Sequence, residues 1–139
     1  MSQVGFTGTR EGLTEDQYLS LRTLLSDKLN SPADWFHHGD CIGADSDSHD
    51  IVRSVSHARI MTHPPDKDVI RAFRKGDMAL KPKPYLVRNR DIVDGSDELI
   101  ACPEGPEKER SGTWSTVRYA RKSGKPITIV WPSGLVEKS

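Results

Sequence analysis

The chain has 139 residues, 35% hydrophobic and 29% charged, with 20 Lys and Arg balancing 20 Asp and Glu. That length suits one domain with a real core, and a formal net charge of zero argues against a nucleic-acid partner, whose phosphates usually demand a basic excess. No apolar stretch approaches the roughly 20 residues that span a bilayer. The N-terminus enters strand-like sequence without a charged and apolar leader, and Cys41 and Cys102 stand in no metal-ligand spacing. A cytoplasmic protein with no membrane partner is therefore expected.

Gln3-Val4-Gly5-Phe6 reads as a short buried strand, stopped by Thr7-Gly8-Thr9. Thr14 with Gln17 three residues later forms a capping-box pattern, and Tyr18, Leu21, Leu24, Leu25 and Leu29 follow at helical spacing until Asn30-Ser31-Pro32. Asp34 to His38 is the second strand candidate. A second helix is predicted from near Ala44, with Ala44, Ile51, Val52 and Val55 inward. Arg59 to His63 is a third strand, cut off by Pro64-Pro65. Asp68 to Lys75 is predicted as a short helix around Val69, Ile70 and Phe73, and Gly76, Pro82 and Pro84 interrupt the stretch beyond it. Tyr85 to Val93 is helical and Glu98 to Cys102 is a strand. After a loop from Pro103 to Arg110, a helix through Trp114, Val117 and Ala120 closes at Gly124, and Pro126 to Trp131 supplies the last strand. Leu135 to Ser139 is expected to fray. The alternation implies an α/β, three-layer αβα fold, a mostly parallel sheet of about five strands with both faces covered.

Three glycine-bearing loops fall where such folds bind ligands, at the carboxyl ends of strands. In Gly5-Phe6-Thr7-Gly8-Thr9-Arg10, the glycine Gly8, the hydroxyls and Arg10 suit an oxyanion. In Gly39-Asp40-Cys41-Ile42-Gly43-Ala44-Asp45, the carboxylates disfavour a phosphate, so Asp40 or Asp45 would address sugar hydroxyls or a base edge. In Arg110-Ser111-Gly112-Thr113, with Lys108 just before it, donors and cations open a helix and form an anion site. Between the second and third loops, Tyr85 and Ile92 define an inward stripe whose intermediate positions are Arg88 and Asn89. Charged groups facing inward need partners, so these either pair locally, for instance with an aspartate of the second loop, or line a pocket. Neither Gly-x-Gly-x-x-Gly nor a Gly-Lys-Ser/Thr phosphate loop is present, which leaves ordinary NAD or ATP binding unsupported. His37, His38, Asp45 and His49 lack a Cys/His ligand framework, so neither a metal nor another cofactor is expected. Trp35, Trp114 and Trp131 read as packing residues, with Trp114 the one placed beside a loop.

The loop motifs, His38-Gly39-Asp40-Cys41-Ile42-Gly43-Ala44-Asp45, Arg88-Asn89 and Ser111-Gly112-Thr113 together resemble the SLOG superfamily, over roughly positions 3 to 131. This Rossmann-like group includes LOG-type phosphoribohydrolases, molybdenum-cofactor carrier proteins and nucleotide-sensing domains; the match is nearest to small bacterial and phage members. The resemblance implies a Rossmann-like domain over residues 1–139 that binds a nucleotide or nucleotide-derived ligand. LOG enzymes carry Pro-Gly-Gly-x-Gly-Thr-x-x-Glu, and here Thr116 takes the place of the glutamate that serves N-glycosidic cleavage. A threonine hydroxyl does not replace an ionised carboxylate. The expected function is therefore recognition: sensing, carrying or sequestering a nucleotide-derived small molecule through Gly8, Thr9, Arg10, Gly39, Asp40, Gly43, Ala44, Asp45, Arg88, Asn89, Arg110, Ser111, Gly112 and Thr113. The alternative is a hydrolase of a nucleotide's N-glycosidic or phosphoester bond using Asp40 or Asp45. A homodimer or higher homo-oligomer is expected by analogy with related folds.

Overall fold

Strands and helices alternate through most of the chain. The computed structural model describes residues 1–139. In chain order the elements are β1 (Gln3–Gly8), α1 (Glu15–Lys28), β2 (Trp35–His38), α2 (Ala44–Val55), β3 (Arg59–Thr62), β4 (Met78–Ala79), α3 (Tyr85–Asp94), β5 (Glu98–Cys102), α4 (Gly112–Lys122), β6 (Ile127–Val130) and β7 (Val136–Lys138). They form one sheet in the order β4-β3-β2-β1-β5-β6-β7, parallel except for β7. The chain winds outward from β1 to β4, then returns to lay β5 against the other side of β1. That reversal, where Gly8 pairs with Cys102, is the topological switch point. No helix is long and apolar enough to cross a membrane.

Alternation along the strands divides the core. Val4, Phe6 and Phe36 pack with Leu21, Leu25 and Leu29 of α1 and with Ala44, Ile51 and Val52 of α2. On the opposite face, Leu99, Ala101, Ile127 and Ile129 pack with Val93 of α3 and with Trp114, Val117 and Ala120 of α4. Trp114 is 2% exposed and stacks on Trp131, so it is a core residue. The α1 start forms as its residues dictate: Thr14 Oγ1 accepts the Gln17 N–H at 3.0 Å, and Gln17 Oε1 accepts the Thr14 N–H at 3.2 Å. Gln17 then donates from its side-chain amide to the carbonyls of Pro103 and Val130, fastening α1 beneath the ends of β5 and β6.

Three expectations are corrected. The helix predicted over Asp68 to Lys75 is a single 3-10 turn, Asp68–Ile70, with Val69 83% and Phe73 58% exposed. Contacts with the second loop pull this segment into an irregular strap. The Asp40 carboxylate takes the Arg71 Nε–H and the Arg74 backbone N–H, its carbonyl takes the Ala72 N–H, and Ile70 O accepts from Ile42 N. Backbone groups so engaged cannot build a helical ladder. The tail does not fray as expected: after a turn at Gly134, Val136–Lys138 pairs antiparallel with β6, supplying hydrogen-bond partners for its otherwise open edge. With β4 on the far edge, the sheet has seven strands rather than about five.

Four of the five histidines are buried and joined in pairs. His38 Nδ1 accepts the Asp40 N–H at 2.9 Å, so its Nε2 carries the proton and donates to His49 Nδ1 at 3.0 Å. His37 Nε2 meets the Gln3 side-chain oxygen at 2.6 Å, which makes its Nδ1 the acceptor for His63 Nε2 at 2.9 Å. Burial pushes His37 and His49 down to about 4 and His63 to about 3, and holds His38 well below its ordinary range. In the unfolded chain these groups bind protons near pH 6.5, so their stabilising contribution is complete above that pH and lost as pH falls toward 4. Asp45, raised to about 6 by burial, acts with the opposite sign and offsets only part of the loss. Chemical denaturation is therefore expected to show a midpoint that is highest above about pH 6.5 and falls steadily toward pH 4. A flat profile across that window would mean the paired histidines are not held neutral. Separately, Gly43 sits at φ 89 with the Arg10 backbone where a Cβ would lie. Gly43→Ala is expected to lose more than about 1 kcal/mol in the same measurement, because strain and collision add.

Candidate functional site

The switch point leaves a cavity of about 340 Å³ above the carboxyl ends of β1 and β5. Gly8, Thr9 and Arg10 line it from the first loop, Gly39 and Asp45 from the second, Arg88 and Asn89 from α3, and Arg110, Ser111, Gly112 and Thr113 from the third. The three glycine loops therefore meet in one place. Three predicted residues do not reach it. Asp40 is fully buried at φ 51, and that left-handed backbone turns its carboxylate to Arg71 on the strap. Gly43 and Ala44 lie behind the first loop, where the Ala44 N–H donates to Thr9 O at 2.9 Å. They hold the cavity wall and do not line it.

Arg88 is 5% exposed and nearly saturated. Its Nη1 donates to the carbonyls of Gly39 and His63, its Nη2 to Cys41 Sγ at 3.4 Å, and its Nε to Asn89 Oδ1 at 2.8 Å. Of five donors, one N–H on Nη2 remains. Gly39 has no side chain because the guanidinium occupies that space. Both readings of the inward arginine thus apply: it faces the cavity, and it is held by the second loop through a backbone carbonyl instead of an aspartate carboxylate. Asp45 lies close by, 6% exposed, with Oδ2 accepting the Cys41 N–H at 3.2 Å. Burial pushes its carboxyl up to about 6, against the opposing pull of Arg88 and that N–H. Desolvation likewise raises the Cys41 thiol, and Cys41 and Cys102 are both free.

The third loop delivers the N-terminus of α4 to the cavity. Ser111 caps it, its Oγ accepting the Trp114 N–H at 3.2 Å. A Cβ on Gly112 would meet nothing within 4 Å, so that position opens onto space. Thr113 and, from β1, Thr7 are 7% and 8% exposed, line the cavity, and make no side-chain hydrogen bond to the protein. Arg110 and Arg10 form no ion pair, whereas Lys108 is paired with Glu104 at 2.6 Å. Thr116 is 1% exposed, and its hydroxyl donates to Gly112 O at 2.8 Å. It lies outside the cavity, beside a groove between α3 and α4.

Tyr85, Cys41 and Glu104 also line the cavity without having been assigned to it from sequence. Tyr85 carried a signal: it heads the stripe that contains Arg88, Asn89 and Ile92, so whatever those residues face, it faces too. Thr7, whose hydroxyl the first-loop motif already offered to an oxyanion, reaches the cavity through strand alternation, since Gly5 and Thr7 point to the α3 side while Val4 and Phe6 pack with α1 and α2.

No protein-family model matches the chain, and no curated protein matches it in sequence. Solved structures do. The molybdenum cofactor binding protein from Rippkaea orientalis superposes with a TM-score of 0.71 at 22% identity, over 92% of this chain and 75% of that one. The Moco carrier protein from Chlamydomonas reinhardtii gives 0.65 at 18%, over 91% and 74%. DNA processing protein A from Helicobacter pylori, described with a single-stranded DNA binding mode, gives 0.59 at 17%, over 92% and 65%. These likenesses show that the chain has the Rossmann-like α/β fold of those proteins.

Proposed function

We propose that the chain binds a phosphorylated nucleoside or a related small molecule at the carboxyl ends of β1 and β5, to sense, carry or sequester it. The observation that carries this reading is the pairing of unlike subsites in one cavity. On one side are the α4 N-terminus, the unpartnered hydroxyls of Thr7 and Thr113, and the unpaired cations Arg10 and Arg110. Together they suit a phosphate. On another side, Asp45 suits a hydroxyl or ring-edge donor. Much of the outer basic surface is already matched: Arg53 pairs with Asp77, Arg74 with Asp50, and Arg118 and Arg121 with Glu107. That balance favours a small anion in the cavity over an extended polyanion on the surface. Molybdenum-cofactor proteins on the same fold fit a carrier role.

One observation favours a second reading, hydrolysis. Asp45 is a buried carboxyl, raised to about 6, at the cavity wall, which is the property asked of a general acid or base. Asp40 turns away from the cavity, its carboxylate held by Arg71. Incubating the protein with a panel of nucleoside monophosphates and resolving the products by chromatography separates the readings. Intact nucleotides are expected. Turnover that disappears in Asp45→Asn would replace recognition with catalysis.

Native mass spectrometry of freshly purified protein is expected to reveal a co-purifying phosphorylated small molecule. Gly112→Val should displace it without lowering stability, because the added side chain enters open space at the anion site. Retention of the ligand by that variant would remove the third loop from the site. Arg88→Ala should instead unfold more readily, by about 3 kcal/mol, since it strands two buried carbonyls and removes the cation beside Asp45. An unchanged denaturation midpoint in that variant would mean those contacts contribute little.

A further inference from the structure

Nothing in the phosphate and hydroxyl subsites explains the aromatic ring at the cavity mouth. Tyr85 is the first residue of α3, placed there by the stop at Pro82 and Pro84. Its ring is half-buried, its hydroxyl has no hydrogen-bond partner, and one face is covered by the Arg10 guanidinium, 5.7 Å from the ring centroid. Arg10 is itself exposed and makes no ion pair or side-chain hydrogen bond. The other aromatic at the cavity, Phe6, is sealed in the core at 0% exposure. Tyr85 is therefore the aromatic face available to a ligand, under a cation free to move.

The neighbouring turn of α3 supplies an edge contact. Asn89 lies one helical turn beyond Tyr85 on the same stripe and lines the same cavity. An arginine can only donate, so the bond from Arg88 Nε fixes the Asn89 oxygen toward Arg88 and leaves its NH2 group unengaged. A stacking face, a mobile guanidinium plane and an amide donor, arranged along one wall, are what a planar ring with acceptor atoms on its edge requires. A sugar phosphate alone would leave the stacking face unused.

Building on the phosphate reading above, we infer that the ligand carries a planar heteroaromatic ring, clipped between Tyr85 and Arg10 and met on its edge by Asn89. Tyr85 is then the residue that separates nucleotide-like ligands from simple sugar phosphates. The cavity, at about 340 Å³, lies near the lower end of small-molecule sites and suits one such ring with one phosphorylated sugar.

Isothermal titration calorimetry with adenosine 5′-monophosphate, guanosine 5′-monophosphate and ribose 5-phosphate tests this directly. At least one nucleotide is expected to bind about tenfold or more tighter than ribose 5-phosphate, with a hypochromic change in the near-ultraviolet absorption of its base. Tyr85→Leu, which keeps the bulk but loses the π face, should abolish that preference while leaving the affinity for ribose 5-phosphate unchanged; Tyr85→Phe should retain it. Equal affinities in the native protein, or a preference that survives Tyr85→Leu, would overturn the ring clip and leave the phosphate site standing. Failure of all three compounds to bind, with inorganic phosphate also silent, would overturn the phosphate reading and the clip with it.

Discussion

The buried guanidinium of Arg88 is the contact on which the site depends. It reaches from α3 across the switch point to the carbonyls of Gly39, at the end of β2, and His63, just beyond β3. Those carbonyls lie where the strands stop and the ladder no longer supplies partners. A charged donor fork can serve two of them at once and still orient Asn89 and Cys41. An apolar side chain there would pack equally well and leave the loop backbone unpaired. The absence of a Cβ at Gly39 is the matching requirement on the other side of the contact.

Around this centre the second loop faces two ways. Its outer half is engaged with the strap: Asp40 binds Arg71 and the Arg74 backbone, and its own N–H is held by His38, which His49 supports. Its inner half, Gly39, Cys41 and Asp45, borders the cavity. The positive φ at Asp40 is the pivot between them. A single heptapeptide thus anchors the least regular part of the chain and presents a carboxyl to the ligand space. The cost is several neutral histidines and one raised carboxyl buried in the same region, which ties the integrity of the loop to solution pH.

Much of the fold was legible in the residues. The capping box at Thr14 and Gln17, the leucines of α1, the β-branched run of β6 and the glycine stops defined the elements and their order, because each rests on contacts within a few positions along the chain. The strap and the two edge strands were not legible for the opposite reason. Val69, Ile70 and Phe73 have helical spacing, but hydrogen bonds from Asp40, some thirty residues away, outweigh a weak local preference. Val136–Lys138 has three exposed side chains and forms a strand only because β6 offers an unpaired edge.

The same division runs through the site. The sequence by itself determined that three glycine loops follow or flank strands in a parallel α/β chain, that Arg88 and Asn89 face inward, and that Thr116 provides no carboxylate. Tertiary structure alone decided that Asp45 borders the cavity while Asp40 turns away, that Arg88 has one free donor, and that Arg10 lies over Tyr85. Periodicity and loop chemistry are local and can be read along the chain. The direction of a carboxylate on a left-handed turn, or of a guanidinium between loops separated by some fifty residues, is set by partners that meet only once the sheet has closed.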